Sequence, residues 1–127
     1  MLHRRHPKYQ HGFTLLELLS VLVIMGVMVS VAIKKFDLLS DTAAVNAIKA
    51  GVRELNTRET LVWTQTKLSE SGWENDDAVY DAVDKTLGAR YRWNPGPTET
   101  GGTLHYESES TVLERTKSTR NSVGSWK

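Results

Sequence analysis

From Phe13 to Ile33 the chain runs about 21 residues with a single charge, Glu17. Wound as a helix, the run would measure roughly 31 Å, close to the hydrocarbon thickness of a bilayer. Such a segment must be buried in lipid or against other apolar helices. A carboxylate inside it costs about 2–3 kcal/mol near mid-bilayer and less near an end, where Glu17 lies. Arg4, Arg5 and Lys8 precede the run with no acid among them, which favours a cytoplasmic N-terminus. Lys34 and Lys35 follow it and weigh against that orientation, although long lysine stems can snorkel to the far interface.

Three readings fit the segment. As a secretory signal, it offers small residues at Ser30 and Ala32 for a peptidase, releasing a soluble domain from Ile33. Its apolar core, however, is longer than a usual signal core and holds an acid. As a plain single-pass anchor, its length is explained and Glu17 is not. The third reading cuts the chain between Gly12 and Phe13. Phe13 then carries a cationic amine one helical turn before Glu17. The macrodipole favours an acid there, and a nearby cation offsets its desolvation. The pair could form within one chain or between copies. Only the second makes the acid an assembly device, fixing register as a buried polar residue does in a coiled coil.

The stretch Gly12-Phe13-Thr14-Leu15-Leu16-Glu17-Leu18-Leu19, after a basic leader and before the apolar run, resembles the type IV pilin family, including the secretion pseudopilins. The resemblance covers about residues 4–36. It implies cleavage between Gly12 and Phe13 by a prepilin peptidase, N-methylation of Phe13, and a role for Glu17 in recruiting or registering subunits. It also implies single-pass residence in the bacterial inner membrane with the N-terminus cytoplasmic. Incorporation into a surface pilus or periplasmic pseudopilus follows, through an assembly platform and its ATPase, as homopolymer or with other pilins. Where the family usually has Ala-Ile-Pro-x-Phe, this chain has Ala32-Ile33-Lys34-Lys35-Phe36. Without proline, the chief cause of a local helix break is gone, and a weaker one remains in Gly26, Val27, Val29, Ser30 and Val31, poorer helix formers than Ala or Leu.

The rest reads as a head on a helical spine. Leu38, Val45, Ile48, Val52, Leu55 and Val62 make an apolar stripe that Glu59 interrupts. No proline separates Pro7 from Pro95, so one helix from about Thr14 to Lys67 is expected. Glu74 to Leu87 follows as a short helix with Asn75 as N-cap, its Ala78, Val79, Ala82, Val83 and Leu87 facing the spine. Strands are expected over 89–93, from Gly101 through Glu107, and over 111–117. The fold class is α+β, a long helix packed against a small antiparallel sheet. Its parts are leader 1–12, apolar helix 13–35, amphipathic helix 36–67, head 68–117 and a polar tail 118–127, expected to be mobile from Ser118 to Gly124 with Trp126 docking.

Composition narrows the function further. Net charge is +1, and removing the leader's three basic residues leaves 13 against 15 acids, or −2. That balance advertises neither nucleic acid nor headgroups. The chain has no cysteine, so packing must supply what disulfides give many small exported domains. His105 is the one histidine outside the leader, and no paired-acid or phosphate-loop pattern suggests an enzyme or a cofactor. Glu70, Glu74, Asp76, Asp77, Asp81 and Asp84 lack the loop spacing of a calcium site, and no metal is expected. Arg90, Arg92, Arg115, Lys117 and Arg120, partly interleaved with Tyr91 and Trp93, are the residues that would track phosphates if a minor pilin of this kind bound DNA.

Overall fold

The computed structural model describes residues 12–127, so Arg4, Arg5 and Lys8 of the leader lie outside the described residues. The chain divides into two compact units, Met1–Leu38 and Leu39–Lys127. Helix α1 (Leu15–Leu68) contributes to both.

In the first unit, α1 begins at Leu15, just after Gly12, Phe13 and Thr14, which are not helical. Its apolar side chains are exposed throughout, from Leu15 at 84% to Ile33 at 57%. The helix runs through Lys34 and Lys35 without interruption, as a stretch lacking proline should.

In the second unit, α1 supplies one wall of the core. The rest comes from α2 (Asp76–Ala82) and strands β1 (Tyr91–Trp93), β2 (Gly101–Tyr106), β3 (Glu109–Thr116) and β4 (Ser125–Trp126). The strands form one antiparallel meander in the order β1-β2-β3-β4. Leu55, Leu104, Leu113 and Trp126 make the centre, with Val52, Tyr80, Leu87, Tyr91 and Trp93 packed around it. Asn75 caps α2 as its sequence suggests, accepting from the Ala78 N–H at 2.9 Å.

Three expectations need correction. The buried line on α1 is Ala44, Ile48, Gly51, Leu55 and Glu59, whereas Leu38 and Val45 are exposed. Tyr91 decides the rotation: its ring packs on Gly51, where a Cβ would come within 2.9 Å of it, and its hydroxyl donates to the Ala47 carbonyl at 2.7 Å. The short helix ends at Ala82, and Ala78 and Ala82 face solvent while Val79 and Val83 are buried. The tail is built into the sheet. Ser125 and Trp126 pair with Thr116 and Arg115, and Asn56 of α1 grips the other edge of Trp126. There the Asn56 Nδ2 donates to the Trp126 carbonyl at 3.0 Å, and the Trp126 N–H donates to Asn56 Oδ1 at 2.7 Å.

The stripe's odd member, Glu59, is fully buried because Arg115 of β3 donates to it and to Asp76, the latter at 2.8 and 2.9 Å. Trp126 Nε1 donates to the second Glu59 oxygen at 3.2 Å, and the Ser118 N–H and hydroxyl each donate to Asp76 at 2.7 Å. Gly124 lets the tail pass this close: a Cβ there would lie 2.7 Å from Glu59 Oε1.

Candidate functional site

The start of α1 is shaped by Thr14 and Glu17. The Glu17 N–H donates to the Thr14 hydroxyl at 3.2 Å, and the Thr14 N–H donates to Glu17 Oε2 at 3.2 Å. This is a reciprocal capping box, which satisfies two of the amides a helix leaves without partners. The Thr-x-x-Glu spacing announces it, yet a reading centred on the charge of Glu17 passes over it. The box folds the carboxylate back over the helix end rather than outward from its side.

Phe13 sits one residue before the cap, 90% exposed, in the non-helical lead-in with Gly12. The Gly12–Phe13 peptide bond is therefore accessible, and a new amine at Phe13 would arise beside the turned-back carboxylate. Beyond it, α1 is long and apolar enough to cross a membrane, and no residue of that apolar window is buried among the described residues. An amphipathic helix in a globular domain would bury one stripe. This one leaves its whole circumference for lipid or other chains.

The five basic residues do not all share one surface, although Arg90 and Arg92 line one shallow pocket. Arg115 is buried between Glu59 and Asp76, with no charge left for a phosphate, which removes it from the phosphate-tracking set. Burial disfavours its charge, but the bonds from Asp76 and Glu59 outweigh this and raise its pKa. Lys117 is exposed and held by Glu99 at 2.7 Å, and Arg90 lies 3.5 Å from Glu107. Arg92 and Arg120 are exposed. His105 is half-buried on β2 with its Nε2 3.0 Å from the Asn94 carbonyl oxygen.

Asp76, Asp77 and Glu99 bring carboxylate oxygens within 4.8 Å of one another. Arg115 and Lys117 already occupy two of the three. The neighbouring Glu99 holds the Asp77 pKa above its ordinary value, while Lys117 and Asp77 hold Glu99 below its own.

Residues 7–33 match the prokaryotic N-terminal methylation motif. The chain thus carries the class III signal motif found in type IV pilins and pseudopilins, placed across Gly12, Phe13, Glu17 and the exposed apolar helix. The α+β fold, a long N-terminal apolar helix with a small antiparallel sheet, is pilin-like. Comparison with curated proteins and with solved structures gives no match.

Proposed function

We propose that this chain is a structural subunit of a type IV pilus or pseudopilus. A prepilin peptidase cuts between Gly12 and Phe13 and methylates the new amine. The subunit waits in the inner membrane, and an assembly platform with its ATPase draws it into a fibre through its apolar helix. Within the fibre, Glu17 of one copy meets the Phe13 amine of the next and sets their stagger.

The observation that carries this reading is the motif at residues 7–33, whose part from Leu15 onward lies on a helix with no residue of its apolar window buried among the described residues. A secretory signal would not need Glu17 tied into the start of the helix. DNA binding loses support because its central arginine is buried and Lys117 and Arg90 face acids. An unpaired phosphate track would show the opposite arrangement.

The test is Glu17→Ala in cells that process and assemble the native chain. Mass spectrometry of the exported native protein should show a chain beginning at methylated Phe13. The variant should be cleaved as the native chain is but should be nearly missing from sheared fibres. Normal incorporation of Glu17→Ala would sink the role of this acid.

A further inference from the structure

Three charged residues, Lys34, Lys35 and Asp37, close the far end of the apolar run. Lys35 and Asp37 are exposed on α1, and neither enters an ion pair with another described residue. Lys34 precedes Asp37 by three residues, but lysine before acid is the weaker order on a helix, and no such pair forms. Two residues apart, Lys35 and Asp37 point about 160° away from each other.

We infer that Lys35 of one copy pairs with Asp37 of its neighbour, giving the fibre a second register point at the outer end of the apolar segment. The inference rests on the filament reading. If Glu17 of one copy is level with Phe13 of the next, the stagger is four residues, or about 6 Å. Residue 39 of the first copy is then level with Lys35 of the second, and Asp37 lies only about 3 Å below that level. A lysine side chain spans that offset. The same stagger thus serves both ends of the run, and in both contacts the same copy supplies the acid.

Azimuth agrees as well. Glu17 is folded over the helix end by Thr14, so its contact selects no helix face. Lys35 and Asp37 do select faces, and they are nearly opposite. A cation on one side and an anion on the other make a heterologous contact, which repeats along a fibre instead of closing into a dimer. Next to packed apolar helices, such a pair is screened by salt less than one in open solvent.

The chain has no cysteine, so the double variant Lys35→Cys/Asp37→Cys provides a direct test in fibre-forming cells. The two thiols face apart on one helix and cannot join within a chain. Mild oxidation of its fibres should give a ladder of dimers, trimers and longer species on a non-reducing gel. Adding Glu17→Ala should abolish the ladder. Charge exchange gives a second readout: Lys35→Asp should lower fibre yield several-fold, and Lys35→Asp/Asp37→Lys should restore it. Fibres of normal yield that run as monomers after oxidation would overturn the pairing and leave the filament reading standing, as would failure of the exchange to restore yield. If the native chain enters no fibre under any condition, both fall together.

Discussion

Burying one guanidinium between two carboxylates takes three charges out of water, which is tolerable only while every partner stays in place. Arg115, Glu59 and Asp76 are held by seven hydrogen-bond contacts among β3, α1, α2, the β1–β2 loop and the tail, and only the buried Arg115 Nε has no partner among the described residues. Arg115→Met removes the cation and strands both acids in the interior. Chemical denaturation of the detergent-solubilised chain should show a loss of about 3–5 kcal/mol; a loss below 1 kcal/mol would mean that water reaches the acids. The same cluster predicts an acid limit. Burial raises the Asp76 pKa, but Arg115 and Ser118 more than reverse this, so the folded value lies below 3.8. A depressed carboxylate contributes stability that is fully present above its unfolded pKa and is lost as pH falls through the folded one. The melting temperature should therefore hold from neutral pH to about 5 and decline below about 4. Asp76→Asn should start lower and show a shallower decline. An equal decline in both proteins would assign the acid sensitivity elsewhere.

Among the elements, β4 depends on the fewest residues. A strand of two residues holds its place because β3 binds one edge and the Asn56 side chain binds the other. Asn56 thereby acts as a short piece of strand backbone and closes an edge that could otherwise recruit another chain. Asn56→Ala should cost about 1–3 kcal/mol by leaving both Trp126 groups unmatched. Hydrogen exchange should quicken at the Trp126 amide, whose acceptor is Asn56, more than at Lys127, whose N–H bonds to Glu114. Equal protection in variant and native chain would mean that packing of the indole alone holds the strand. What sequence could and could not reveal follows the same division. The apolar run, the proline-free spine, the Asn75 cap and the alternation in β1 are local signals, and they were readable, whereas β2 buries Gly101 and Leu104, three residues apart, instead of every second residue. β4 was not, because a serine and a tryptophan in a polar tail carry no periodicity, and their pairing depends on an asparagine 70 residues away. Nor was the Glu59–Arg115 pair, joined across 56 residues. Read locally, the first was a flaw in a stripe and the second a basic strand residue. At the helix start, Gly12, Phe13 and Glu17 were legible as a motif, and the Thr14–Glu17 spacing that carries the capping box was legible too but is passed over by a reading centred on charge.

At the scale of the whole molecule, folding and assembly draw on different residues. Among the described residues, every buried apolar side chain belongs to residue 44 or later, whereas Phe13 through Phe36 contributes large apolar side chains that are all more than 45% exposed. The second unit has its own centre in Leu55, Leu104, Leu113 and Trp126, its own buried ion cluster and a sheet whose β4 edge is closed by Asn56. Nothing in that core requires the apolar segment. A chain beginning at Leu39 should therefore be soluble without detergent. It should elute as a monomer and unfold in one cooperative transition, with its first few residues fraying from the exposed end of the helix. The full chain carries an apolar surface far larger than a soluble monomer normally exposes, so it should require detergent, lipid or copies of itself. Size exclusion and thermal circular dichroism on the two chains would test this division. A Leu39 fragment that is molten or aggregated would show that the apolar helix takes part in folding the head. A well-folded fragment would leave that helix to the membrane and the fibre.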